Sequence, residues 1–158
     1  MTRYARRRAP LILLLTAHLA LGGCGSAESR AVDDGKSQLE AKLEDLRDEI
    51  TTSFAHFDPA SDSPTQWLSN SYAGAYQDGV LTIRVGINVT GRDPWSVGET
   101  TASTGACFEV SGGRHRARLT QVACPRSFLQ RPGDPVDREL LILEKPEIIR
   151  IRDSSSVR

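Results

Sequence analysis

The chain is poor in the residues from which active centres are most often built. Its 158 residues include three histidines, three cysteines, two tryptophans and one methionine. It contains no His-Glu-x-x-His, no Cys-x-x-Cys and no glycine-rich phosphate loop, the motifs that would carry zinc hydrolysis, dithiol redox chemistry or nucleotide binding. Beyond residue 23 the histidines are His56 and His115. A Ser-His-Asp triad needs three converging groups, and no particular Ser and Asp are brought to either histidine. His56, between Ala55 and Phe57, reads as structural, and a small hydrolase is therefore the weakest reading. Neither a cofactor nor a metal is indicated. An excess of positive charge is also missing, with 20 basic and 20 acidic side chains. The longest apolar run, Leu11 to Leu21, is eleven residues interrupted by Thr16 and His18. A helix that spans a bilayer needs about 20.

What the N-terminus does contain is ordered. Arg3, Arg6, Arg7 and Arg8 precede the apolar run, and the small pair Gly22-Gly23 comes after it, ending at Cys24. A basic segment, a short apolar segment and small residues form a secretory signal. Leu21-Gly22-Gly23-Cys24 resembles the lipobox of bacterial lipoproteins. The resemblance implies that residues 1–23 are a signal peptide that is removed, and that Cys24 becomes a diacylglyceryl-bearing N-terminus. The chain would then sit on the extracytoplasmic face of the cell membrane, and two acyl chains give stable anchoring where one binds reversibly. Arg7-Arg8 also admits the twin-arginine route, although Ala9-Pro10 comes directly after it. The route of export stays open.

On that reading 135 residues remain, one domain's worth, with 16 basic and 20 acidic side chains. From Cys24 to Gln66 there are 10 acidic and 4 basic residues, against 10 and 12 from Trp67 to Arg158. A nucleic-acid partner is not indicated. Two cysteines are left in an oxidising compartment, so a Cys107–Cys124 disulfide is the default. Metal ligation by this pair lacks further His or Cys at usable spacing.

Residues 24–38 are small and polar and read as a lipidated N-terminus with a flexible linker. The domain proper is expected over 39–152, with a disordered tail at 153–158. Leu39, Leu43, Leu46, Ile50, Phe54 and Phe57 form one stripe of a 3.6-period helix, ended by Asp58-Pro59. The stripe packs on the chain's own sheet or, alternatively, takes a partner. Trp67-Leu68 is expected to tuck under the helix end. Tyr72 to Gln77, Asp78-Gly79 and Val80 to Val89 read as a hairpin with a type I′ turn. Its register places Tyr72, Tyr76, Leu81, Ile83, Val85, Ile87 and Val89 on one face. Residues 91–105 read as a long polar loop in which Trp95 is either a plug on the core or a contact residue.

Ala106 to Ser111 is the third strand, and Gly112-Gly113 looks like a two-residue turn into Arg114 to Cys124. That turn sets Glu109 opposite Arg116 and Cys107 opposite Arg118, about 20 Å of strand short of Cys124. A disulfide needs Cα atoms within about 7 Å. Either the loop is longer or the strand bends back, and the disulfide takes precedence over the turn. Arg114, His115, Arg116, Arg118 and Arg126 form one basic cluster, a solvated hairpin tip or a contact for anionic headgroups or wall polymers. Asp134-Pro135 could open a helix over Val136 to Glu144, while Leu140 to Leu143 fits a buried strand equally well. Glu147 to Arg152 alternates as a strand with Ile149 and Ile151 on one face.

The expected fold is α+β, one long amphipathic helix on an antiparallel sheet of about four strands. A cystatin-like layout is possible by fold-level analogy. The order of lipobox, acidic helix, hairpin, Cys107-Phe108 and Val122 to Pro125 resembles small actinobacterial lipoproteins of unknown function. The expectation is a membrane-anchored binding or accessory module without enzymatic activity. Its partner would be an envelope protein, met through aromatics such as Trp67, Tyr72, Tyr76 and Trp95. The alternative is an anionic wall polymer or lipid bound through Arg114, Arg116 and Arg118.

Overall fold

A computed structural model describes residues 25–133 and 135–152. The segment read as a signal peptide (1–23), the expected lipidation site Cys24, the expected cap Asp134 and the tail at 153–158 lie outside the described residues. Helix α1 runs Ala27–Ser53, with the Ser26 side chain accepting a hydrogen bond from the Ser29 amide at 3.1 Å. It therefore begins twelve residues before Leu39, in the stretch expected to be a linker. Its buried face is Ala31, Gly35, Leu39, Leu43, Leu46 and Ile50. The stripe simply continues toward the N-terminus in small residues, which carry the helical period but almost no hydropathy.

The strands are β1 Ser71–Gln77, β2 Val80–Arg92, β3 Thr101–Gly113, β4 Arg116–Val122, β5 Arg138–Glu139 and β6 Glu147–Arg150. They form one sheet of order β1-β2-β3-β4-β6, with β5 beside β3, making six strands in place of about four. Every pairing is antiparallel except that of β5, which runs parallel to β3 at Thr104 and Gly105, beyond the reach of β4. Leu81, Ile83, Val85, Ile87, Ala106, Phe108, Val110, Ala117, Leu119 and Ile149 face α1 and form the main core with its leucines, Ile50 and Phe54. The polar side of the helix is tied down as well. Arg47 donates to Glu147 of β6 at 2.7 and 2.9 Å, and Asp34 accepts from the Arg92 amide at 2.9 Å.

At one end the helix lies directly on sheet backbone. A Cβ on Gly91 would come within 2.0 Å of the Ala31 carbonyl oxygen and 2.4 Å of the Gly35 nitrogen. A Cβ on Gly35 would meet Thr104 Oγ1 at 2.6 Å. The same small-residue packing explains why 91–105 is not a long loop. Ala102, Thr104 and Ala106 alternate inward as a strand should, but none is a large apolar residue. The loop shrinks to 93–100.

The first hairpin has the expected turn, with Asp78 at φ 52° and Gly79 at φ 81°, and Tyr76 pairs with Leu81 and Gly74 with Ile83. A bulge between Ser71 and Ala73 then breaks the alternation. Tyr72 moves to the opposite face, 6.3 Å from the ring of Phe128. At the second hairpin the turn is Arg114-His115, not Gly112-Gly113, because Gly113 pairs with Arg116. Both glycines lie inside β3, where a Cβ on Gly112 would sit 2.3 Å from the Arg116 carbonyl oxygen. The resulting shift in register brings Val122, not Arg118, opposite Cys107. Cys124 comes two residues later and closes the disulfide with Cα atoms 5.1 Å apart. The conflict between turn and disulfide thus resolves in favour of the disulfide.

Helix α2, Arg126–Leu129, lays Phe128 on the outer face of the sheet. A Cβ on Gly86 would lie 2.4 Å from that ring. Cys107, Cys124 and Phe128 form a second, smaller core there, with Tyr72, Val122, Leu129 and Val136 packed around it. The segment 140–143 is neither helix nor strand. The Gln121 side chain accepts from the Ile142 and Leu143 amides and donates to the Leu140 carbonyl, which satisfies the backbone in place of a ladder.

The glycine contacts set up a contrast between two variants. Gly91→Ala forces helix and sheet apart and lowers stability by about 1–3 kcal/mol, whereas Gly113→Ala, with its nearest neighbour 3.7 Å away, changes it by less than about 0.5 kcal/mol. Urea unfolding of both checks the difference. Replacing Cys107 and Cys124 together by Ala costs about 3 kcal/mol for a loop of this length, measured the same way under non-reducing conditions.

Candidate anion-binding face

Strand β4 alternates cleanly: Ala117 and Leu119 are buried, while Arg116 and Arg118 point out from the other face. Strand β6 runs beside it with Arg150 opposite Arg116 and Ile148 opposite Arg118. Residues directly opposite one another have Cβ atoms about 5 Å apart, so Arg116 and Arg150 stand side by side. Arg118 is two residues along the same face, about 7 Å away. All three are exposed, and Ile148 beside them is 60% exposed.

Among the described residues no carboxylate pairs with Arg116, Arg118 or Arg150. A turn at Gly112-Gly113 would have set Glu109 opposite Arg116. In the actual register Glu109 faces Thr120, and it binds Arg84 Nε at 3.0 Å. Glu147, in phase with Ile149, lies on the helix side of β6 and pairs with Arg47 of α1. Like charges directly opposite in a sheet are destabilising, a cost that an anion between the guanidinium groups would offset. Three guanidinium forks on one face can engage carboxylate or phosphate groups bidentately.

The face has a definite extent. Across β1 and β2 it continues into a hollow of about 250 Å³ lined by Ala73, Gly74, Ala75, Thr82 and Arg84. Toward the other end it is closed by the Phe128 and disulfide cluster. Burial there pushes the Tyr72 hydroxyl upward in pKa, with Arg84 pulling it down. Arg131 stands 5.3 Å over the Phe128 ring.

The basic residues picked out in the sequence do not stay together. Arg114, in the turn, lines a separate cleft of about 230 Å³ with Phe54, Phe57, Tyr76 and Leu81 between the helix end and the hairpin tips. Arg150 takes its place beside Arg116 and Arg118. The alternation of 147–152 already set Arg150 opposite in sense to Ile149, but only the β4–β6 register makes it a neighbour. Trp67 packs edge-on against Phe57 at 5.4 Å, under the helix end as expected. His56 and His115 are both exposed. Among the described residues no group of three or more His, Cys, Asp or Glu is placed to hold a metal ion. No described helix is long and apolar enough to cross a membrane.

Trp95 does not plug the core: it is 81% exposed, and Val97 near it is fully exposed. The loop that carries them is organised by Asp93, whose side chain is buried. Its carboxylate accepts from Arg30 Nε at 3.0 Å, Arg30 Nη2 at 2.9 Å and the Trp95 amide at 3.1 Å. The Arg30 bonds, with the Trp95 amide assisting, hold its pKa below the usual carboxylate range against the opposing effect of burial.

No protein-family model matches the chain, and no curated protein and no solved structure matches it.

The depressed Asp93 pKa fixes a sign. The ionised carboxylate contributes its full share of stability above the unfolded value of about 3.9, and that share is lost as pH falls through the lower folded value. Asp93→Asn should therefore lower Tm by a constant amount between pH 5 and 7. The gap to wild type should narrow below about pH 4, as thermal unfolding at pH 7, 5 and 3 will show.

Proposed function

We propose that this protein is a membrane-tethered, extracytoplasmic binding module that takes an anionic polymer on the outer face of its sheet. One observation carries the reading: Arg116 and Arg150 are opposed across β4 and β6 with Arg118 beside them, and no described carboxylate neutralises them. A fold gains nothing from such an opposition by itself. The tether is the diacylglyceryl group at Cys24, on the strength of Leu21-Gly22-Gly23-Cys24. Through Gly112, Ala117 is level with Leu81, and Arg116 lies one residue beyond it. Leu81 is ten residues of β2 from Gly91, where the N-terminal turns of α1 are seated, a distance of about 33 Å. That span suits a ligand standing off the membrane, such as a wall polymer, better than the headgroups beneath the anchor. The row of arginines across two adjacent strands suits a chain of repeated anionic groups.

The reading predicts opposite effects on folding and binding. Arg150→Gln relieves the like-charge opposition and raises stability by up to about 1 kcal/mol, while it weakens binding. The triple variant Arg116→Gln, Arg118→Gln, Arg150→Gln should lose at least tenfold in affinity for immobilised polyphosphate and for isolated envelope polymer. The wild-type affinity should fall steeply with added salt. Unchanged binding in the triple variant, or crosslinking in whole cells to one dominant envelope protein through the cleft at Arg114, would move the function away from this face.

A further inference from the structure

The exposed Trp95 and Val97 lie at the end of the molecule that carries the N-terminus, and one side chain links the two. Arg30 donates to the Gly25 carbonyl and, with its other nitrogens, to the carboxylate of Asp93. Asp93 in turn accepts from the Trp95 amide. Gly25 is the residue after Cys24, and successive Cα atoms are about 3.8 Å apart. Gly25, the residue to which Cys24 is bonded, is thus linked to the loop at 93–98 by the single side chain of Arg30. Exposed Trp and Val so close together would leave apolar area in water. Trp is also the side chain most at home at a bilayer interface, where its ring is half in hydrocarbon and its N–H remains wet. Three carboxylates around the loop are charge-paired and so repel an anionic surface less: Glu28 with Arg138, Glu99 with Arg92 and Asp93 with Arg30.

We infer that the loop at 93–98 is a second membrane contact, with Trp95 and Val97 entering the headgroup region beside the acyl chains of Cys24. The inference rests on the lipoprotein reading. Two contacts fix an orientation where one lipid alone would leave the domain free to swing. Arg30 couples them, so that α1 and β2 rise from the membrane and the arginine face is held away from it.

The test uses the full chain expressed in a bacterium that processes lipoproteins, purified from its membranes and reconstituted in phosphatidylethanolamine–phosphatidylglycerol vesicles. The mass of the N-terminal peptide reports the lipid on Cys24. In a Trp67→Phe background Trp95 is the sole indole. Its emission should shift to the blue on reconstitution and be quenched by lipids brominated near the headgroup end of their chains. In the wild-type protein, amide exchange over 95–99 should slow on vesicles relative to the same protein without them, a readout that does not depend on the Trp67 variant folding. A lipidated protein whose Trp95 stays water-like and whose loop exchanges unchanged overturns the second contact and leaves the anchor intact. A mature protein without lipid on Cys24 overturns both.

Discussion

The approach of α1 to the backbone of β2 is the constraint on which the remaining architecture depends. At Gly91 there is no room for a side chain, because the Ala31 carbonyl and the Gly35 nitrogen already occupy the space. Gly35 in the middle of a helix costs about 1 kcal/mol relative to Ala, and the fold accepts that cost to bring the two elements together. With the helix seated there, Leu39, Leu43, Leu46 and Ile50 join Val85, Ile83 and Leu81 in one core. The same contact positions Arg30 over Asp93 and Asp34 over the Arg92 amide. Loop geometry at 93–98 is thus a consequence of packing between glycines several residues away.

That constraint also separates what is legible in the sequence from what is not. Where the core is made of leucine, isoleucine and valine, pattern and structure agree: the helix from Leu39, the Asp78-Gly79 hairpin and the Ile149 strand are all present. Where the core is made of alanine, glycine and threonine, the pattern is equally periodic but nearly silent in hydropathy. The first three turns of α1 and the Thr101–Gly105 part of β3 escape a sequence reading for that one reason. A second kind of error concerns glycine. Gly112-Gly113 invites a turn by conformational freedom, but here glycine serves close approach inside a strand, and two polar residues, Arg114 and His115, make the turn. The disulfide distance is the better guide because it is a hard geometric limit. Candidate site residues are legible in part. Arg116 and Arg118 fall on one face from β4 alone, but Arg150 requires the pairing of two strands that are distant in sequence.

The outer face of the sheet shows how one surface can be divided between stability and availability. Midway along β2 and β3, the staple of Cys107 and Cys124 brings the chain back across β3, and α2 sets Phe128 on Gly86. A glycine in a central strand leaves its backbone bare, and the aromatic ring covers it. The other half of the face is left to Thr82, Arg84, Arg116, Arg118 and Arg150, with no described element crossing it. Glu109 is close enough in strand position to neutralise the arginines, yet it is drawn off by Arg84, while Glu147 faces the helix side with Ile149 and binds Arg47.

The two exposed features therefore differ in what they require of their surroundings, and their separation along β2 gives the difference meaning. Trp95 and Val97 would lose unfavourable contact with water in any apolar setting, and they sit where an acyl chain on Cys24 would supply one. The arginines gain only from an anion, and they stand about 33 Å along the sheet from that end, several Debye lengths at physiological salt. A charge that far from the headgroups feels little of their field. An arginine face meant for the underlying lipid would be better placed at the loop end, where the anchored chain would hold it against the surface. With the anchor proposed at Cys24, its position at the far end favours a ligand that extends away from the membrane.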